Sequence, residues 1–299
     1  MPSSGPYDEY ALDPRAVRRG FDRASASYAN AAGVQAEIRA RLLERLDLVK
    51  LQPATVLDLG SASGQSSRAL KDRYPKSQVI ALDASLQMLS EARRAQGLLR
   101  RFQRVAADAH RLPIRAEAID LAFSNLMLAW CTDPDRVFSE TARVLRAGGL
   151  FMFTSLGPDT LRELREAFRR VDAHTHVHRF IDMHDIGDAL LRAGFAEPVM
   201  DTERLTVTYA SAERLMEDLR GSGAANATAG RRRGLLGRNA WGEVARHLDA
   251  NREQGLLKLS VEVVYGHAWR AELPRSRRER PGEVAIPIAG IGRRIDPKY

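Results

Sequence analysis

The chain has 299 residues, 44% of them hydrophobic, enough for one large α/β domain with appendages or for two small domains. No apolar run reaches the ~20 residues that cross a bilayer, the N-terminus Met1–Tyr10 is polar with no signal-peptide core, and the lone Cys131 excludes an internal disulfide. The expected location is therefore the cytoplasm, with no membrane partner, and Cys131 reads as a small buried hydrophobe. The net charge of +8, heaviest in Arg231–Arg233 and in Arg270–Arg280, favours acidic partners.

In chain order, residues 1–13 are expected to be disordered. Helical patterns cover Pro14 to about Tyr28 and Val34 to about Val49, the second with Ile38, Leu42, Leu43, Leu46 and Val49 at helical spacing. Five strands follow at Thr55–Leu59, Gln78–Leu82, Gln103–Ala107, Ala118–Ser124 and Leu150–Ser155, separated by helical patterns near 64–73, 85–95 and 133–146. Gly148-Gly149 reads as the close of the helix before the fifth strand. An extra helix, Thr160 to about Val171, and a histidine-rich link interrupt the rhythm. It resumes with a helix at Met183–Ala193, a strand at Val199–Tyr209, helices at Ala212–Leu219 and Trp241–Ala250, and a last strand at Val261–Trp269. This alternation predicts an α/β fold: a doubly wound, mostly parallel, seven-stranded Rossmann-like sheet. One domain is expected over 14–270, with a helical lid at 14–50 and an insert at 156–180, followed by a flexible basic tail at 271–299.

The most informative stretch is Val56-Leu57-Asp58-Leu59-Gly60-Ser61-Ala62-Ser63-Gly64, with Ala81-Leu82-Asp83 one helix later. Strand, small-residue loop, helix, strand and acid make a mononucleotide-binding half-sheet, in which Asp83 stands where a ribose diol needs an acceptor. The pattern Asp-x-Gly-x-x-x-Gly lacks the pyrophosphate spacing, which suits a nucleoside without phosphate; S-adenosylmethionine is the expected cofactor. Ligands of such sheets bind beyond the strand carboxyl ends. That places Asp58, Gly60, Ser61 and Gly64 at the first strand, Asp83 and Met88 at the second, Asp108 and Ala109 at the third and Asn125 at the fourth. Asp108 would accept from an adenine amino group.

Two further patterns stand out. Arg162, Arg165 and Arg169 form one stripe of the insert helix, readable as solvated surface or as a docking strip. His174, His176 and His178 alternate, so a strand would put them on one face; a metal there is weighed against a lid loop, and no metal is assigned.

The chain resembles the malonyl-acyl-carrier-protein O-methyltransferases of biotin synthesis, over about residues 14–270. The resemblance is carried by Val17-Arg18-Arg19-Gly20-Phe21-Asp22-Arg23-Ala24 with Ser27-Tyr28 and Gln35, by Leu57-Asp58-Leu59-Gly60, and by Ser124 to Cys131. Gly157-Pro158-Asp159-Thr160-Leu161-Arg162-Glu163-Leu164, Phe180 to Gly187 and Tyr265-Gly266-His267-Ala268-Trp269 complete it. It departs at Ala62 and Ala129, where relatives carry glycine and a polar residue. The resemblance implies a class I fold that builds its acceptor pocket from the N-terminal helices and the insert. The implied reaction is methyl transfer from S-adenosylmethionine to the free carboxylate of malonyl-[acyl-carrier protein], with that acidic carrier as partner and the enzyme a monomer. Tyr28 is the candidate that closes over the reacting methyl; Arg179, with Arg18, Arg19 and Arg23, is a candidate to hold the carboxylate.

Two other readings are kept. One is an arginine hydroxylase and complex I assembly factor of the same superfamily, suggested by Asp201 to Asn226. The other is a non-catalytic interaction protein, suggested by Ala62 and Ala129. Nucleic-acid methylation is set aside because the segment after the fourth strand lacks the Asn/Asp-Pro-Pro-aromatic motif, so no nucleic-acid partner is expected.

Overall fold

The computed structural model describes residues 10–97 and 100–271. Most of the expected tail lies outside the described residues. Asp13 caps α1 (Pro14–Ala24) by accepting from the Arg15 and Ala16 N–H groups, and Pro14 supplies the pre-set φ of a first helical residue. The short α2 (Tyr28–Ala31) and α3 (Gly33–Arg45) follow. A first half-sheet consists of β1 (Thr55–Leu59), α4 (Gln65–Arg73), β2 (Gln78–Asp83), α5 (Leu86–Ala95) and β3 (Gln103–Ala106). Then come β4 (Ile119–Ser124), α6 (Pro134–Val144), β5 (Leu145–Leu156), α7 (Arg162–Arg169) and α8 (Met183–Arg192). The chain continues through β6 (Phe195–Tyr209), α9 (Ala212–Gly221), α10 (Arg238–Asp249), the two-residue β7 (Arg252–Glu253) and β8 (Leu256–Arg270).

The sheet order is β3-β2-β1-β4-β5-β8-β6, with β7 paired to β8. The pairs from β3 through β5 are parallel; β8 runs antiparallel to both β5 and β6. This is the Rossmann-like class I methyltransferase fold, the seven expected strands plus one short addition. The order reverses between β1 and β4, so the crest beside Asp58 is the topological switch point, where such sheets bind ligands. Leu57, Leu59, Phe151 and Phe153 pack one face against α6 and α8, while Val56, Leu121, Phe123 and Met152 pack the other with Ile38 and Leu42 of α3. A third apolar cluster joins Leu164 and Phe168 of α7 to Leu215, Val244 and Leu248 from α9 and α10.

Two expectations are corrected. Residues 11–13 belong to the fold: Leu12 bridges Thr228, and the Asp13 N–H donates to the Ala227 carbonyl. Gly148 and Gly149 do not cap α6, which ends at Val144 with an extended Leu145. They lie inside β5, Gly148 at φ +72°, where the β4–β5 register shifts. A side chain on Gly149 would meet the Arg146 carbonyl at 2.9 Å. Within the arginine stripe, Arg162 and Arg169 are exposed, while Arg165 donates to the Pro158, Thr160 and His178 carbonyls and so fastens the insert to itself.

The Gly-Pro-Asp-Thr block has a structural explanation. Gly157 faces Glu262 of β8 so closely that a Cβ would lie 2.5 Å from its carboxylate. Asp159 N–H donates to that carboxylate, Thr160 Oγ1 donates to the Glu262 carbonyl, and Glu163 accepts from the Ser260 N–H and hydroxyl. The block clamps the start of the insert onto the sheet.

Candidate active site

Asp58 ends β1 wholly buried, and burial lifts its pKa to about 7 despite the Ser67 hydroxyl that donates to Oδ2, with the Asp83 carboxylate adding to the rise. Its Oδ1, like the Ser61 hydroxyl, is buried without a hydrogen-bond partner among the described residues. Buried acceptors left open are costly unless a donor arrives. Gly60 and Gly64 take φ +79° and +81° in the turn that follows. A Cβ on Gly60 would strike Met127 at 2.4 Å and one on Gly64 would strike Ala92 at 2.8 Å, so both positions require glycine for conformation and for packing. Ala62 between them is also left-handed, at φ 45°.

Asp83 closes β2. Burial raises its pKa, opposed by the Ser85 and Ala62 N–H groups that donate to its two oxygens at 2.8 and 2.9 Å, and Asp22 raises it further. A carboxylate has about four acceptor sites, so these contacts leave capacity for a further donor. Asn125 ends β4, where its side chain donates to the Gln35 carbonyl of α3 and accepts from Thr154 Oγ1. The same hydroxyl accepts from the N–H of Leu126, a left-handed residue at φ 61°. This network holds a strained corner at the crest, a placement common at functional sites.

Tyr28 stands over this crest. Desolvation, with Asp83 next, pushes its phenol up to about 12, so it stays protonated. Arg39 of α3, which the sequence reading missed, also faces the site: burial lowers its pKa, while Tyr28 and Asp58 draw it up. It has no hydrogen bond or salt bridge among the described residues. Nothing in its spacing distinguishes it from the other arginines of an amphipathic helix.

The remaining expected residues divide. Ala109 is half-buried against the main core, and Asp108 is exposed at the crest edge. Burial would raise the Asp108 pKa, but the His110 N–H and ring, both bonded to Oδ1, hold it below the ordinary carboxylate range. Met88 is fully buried, so its side chain offers no surface to a ligand; its N–H is capped by Ser85. Arg179 is exposed, lies over the Tyr10 ring at 6.0 Å and does not line the cavity described below. The three histidines also part ways. His174 is exposed, His176 stacks on Phe168 at 3.9 Å and contacts Asp172, and His178 turns inward. Cys131 is half-buried, with its thiol pushed up to about 12 by burial, so it carries no thiolate.

Beside the crest lies a cavity of about 270 Å³, bounded by Gln35 and Leu126 on the crest side and by Leu161, Leu164 and Phe180 from the insert, with mainly apolar walls. Trp130 stands between the two parts, edge-on to Phe21 of α1 and to His178.

Residues 57–153 match the family described as a methyltransferase domain. The malonyl-[acyl-carrier protein] O-methyltransferase of Methylovorus sp. (strain MP688) is 50% identical over 271 residues, spanning 89% of this chain and 92% of that protein. The protein of the same name from Laribacter hongkongensis (strain HLHK9) is 50% identical over 279 residues, spanning 90% and 94%. The chain belongs to the malonyl-[acyl-carrier protein] O-methyltransferase family. Among solved structures, a candidate methyltransferase of Bacillus halodurans C-125 covers 78% of this chain and 99% of its own, with a TM-score of 0.57 at 18% identity; that likeness carries the fold alone. Among the described residues no helix is long and apolar enough to cross a membrane.

Proposed function

We propose that this chain transfers a methyl group from S-adenosylmethionine to the free carboxylate of malonyl-[acyl-carrier protein], giving the methyl ester that starts pimeloyl and biotin synthesis. The observation that carries the reading is a mainly apolar cavity beside an acidic strand crest, in a chain 50% identical to proteins of that name over about nine-tenths of its length. The crest carries the Asp58 and Asp83 carboxylates, and the cavity is walled in part by residues of 14–50 and of 156–180.

The crest fits a cationic nucleoside. Asp83 is assigned to the ribose hydroxyls, Asp58 to the ammonium of the amino-acid end and Arg39 to its carboxylate. Asp108 and Ala109 border the base, and Gly60, Ser61 and Gly64 let the backbone approach. S-Adenosylmethionine, when bound, supplies the methyl on a sulfonium that departs as a thioether with the electron pair of the broken bond. A malonyl carboxylate, with an ordinary pKa of about 3–4, is already ionised at neutral pH, so the protein has no proton to move. Its residues bind, orient and exclude water. Tyr28 closes the crest from the lid, 14–50, and the insert, 156–180, walls the acceptor side. The excess positive charge favours encounter with an acidic carrier.

The test is growth without biotin of cells lacking their own first biotin-pathway methyltransferase, paired with mass spectrometry of malonyl-carrier protein incubated with enzyme and cofactor. Rescue and a methyl ester are expected. No rescue and no ester, with folded protein present, overturn the reading.

A further inference from the structure

We propose that His178 positions the acceptor by donating a hydrogen bond from Nδ1 to the malonyl carboxylate oxygen that does not attack. The inference rests on the carboxylate-methylation reading and adds a residue to it.

His178 is 5% exposed and lines the cavity. Its Nε2 accepts from the Ala227 N–H at 3.1 Å. An imidazole whose Nε2 accepts must, when neutral, carry its proton on Nδ1. Burial lowers its pKa to about 4, so the ring is neutral across the physiological range. Nδ1 has no partner among the described residues, and it is not one of the fully buried polar atoms left unpaired, so this N–H retains accessible surface on a ring that lines the cavity. Trp130, edge-on at 4.6 Å, and Phe180, at 6.1 Å, fix the ring plane. The same Trp130 meets Phe21 of the lid at 5.2 Å, which puts His178 one aromatic ring away from the helix that covers the crest.

The chemistry favours this kind of donor. An arginine fork would hold a carboxylate firmly but draw charge from the oxygen that has to attack. A neutral N–H in a mainly apolar chamber fixes the orientation while leaving the anion nucleophilic, and fixed orientation is most of what this reaction requires. Arg179, next in sequence, is exposed with its guanidinium over the Tyr10 ring and does not line the cavity, which leaves the role open.

Two side chains separate the donor from the structural acceptor. Glutamine places its amide oxygen near the position of Nε2 and preserves the Ala227 bond; asparagine places its amide nitrogen near the position of Nδ1 and preserves the donor. His178→Gln is expected to keep its melting temperature and its S-adenosylmethionine Kd, and to lose about ten- to a hundredfold in kcat/KM for malonyl-carrier protein. His178→Asn is expected to recover most of that loss while melting lower. Equal kcat/KM for wild type and His178→Gln overturns the proposal, as does an equal loss in both variants. A measurement on the wild-type protein removes dependence on variant folding. With ¹⁵N-histidine labelling and S-adenosylhomocysteine present, malonyl-carrier protein is expected to move one Nδ1–H resonance downfield, whereas acetyl-carrier protein leaves it in place. Identical spectra overturn the proposal. A wild-type enzyme that forms no methyl ester at all would instead overturn the reaction assignment.

Discussion

The Ser85 hydroxyl donates to Asp22 Oδ1 at 2.6 Å, tying the lid helix α1 to the loop that follows β2. The same serine donates its N–H to Asp83 and accepts from the Met88 N–H as the N-cap of α5. One residue therefore joins α1, the Asp83 carboxylate and a helix start. Asp22→Ala removes the latch, and Asp22→Asn keeps an acceptor there without the charge. The alanine variant is expected to raise amide exchange across residues 14–31, by the equivalent of about 1 kcal/mol of local opening, while the asparagine variant stays near wild type. Equal exchange in all three proteins would show that the latch does not hold the lid.

Arg39 offers a sharper test of the crest. If it binds the carboxylate of the amino-acid end, Arg39→Ala weakens S-adenosylmethionine binding by about 2 kcal/mol, roughly thirtyfold. Methylthioadenosine, which lacks that end, should bind both proteins alike. Calorimetry with the two ligands decides, and equal weakening of both would remove Arg39 from this role.

How far the sequence reaches can be judged from these residues. Asp58, Gly60, Gly64 and Asp83 were legible because each occupies a place fixed by local order: strand end, left-handed turn, helix start, next strand end. The places of Arg39 and His178 were not, because they depend on packing between distant segments. Arg39 has the same helical spacing as its surface neighbours, and His178 differs from His174 only in facing Trp130 and Ala227. Gly148-Gly149 misled for a related reason: a glycine pair after a helix normally ends it, and only the partner strand shows that β5 has already begun. Met88 follows the same logic in reverse, since its place in the sequence puts it at the crest and its burial takes it away.

Asp58, with a pKa lifted to about 7 by burial, is only partly ionised at neutral pH. A cationic cofactor favours the ionised form and drives the proton out. S-Adenosylmethionine affinity is therefore expected to rise from pH 6 to pH 8, with proton release that calorimetry detects as a difference in heat between phosphate and Tris buffers. In Asp58→Asn both effects should disappear. A pH-independent wild-type Kd would mean that Asp58 does not meet the positive charge.

His178 has the opposite linkage. Its folded pKa of about 4 lies below the ordinary 6.5, so the unfolded chain takes up the proton first as pH falls. The neutral ring is compatible with the fold above about pH 6.5, and stability is lost between that value and about pH 4. The shift corresponds to roughly 3 kcal/mol. His267, also lowered by burial and by Arg45, acts in the same direction. Urea titrations at pH 7.5 and 5 should show a smaller loss for His178→Gln than for wild type, and equal losses would assign the acid sensitivity elsewhere.

Ala62 departs from the glycine expected in its turn, yet the turn keeps its shape. At φ 45° its backbone is left-handed, and its N–H still reaches Asp83 Oδ2 at 2.9 Å. The left-handed region costs a residue with a Cβ about 1–2 kcal/mol, partly offset by the lower entropy of alanine in the unfolded chain. Ala62→Gly is therefore expected to stabilise the protein by up to about 1 kcal/mol, visible as a raised melting temperature. Because the N–H that orients Asp83 is unchanged, cofactor affinity should shift by less than about threefold. A lower melting temperature would mean that the methyl makes contacts worth more than the strain it imposes.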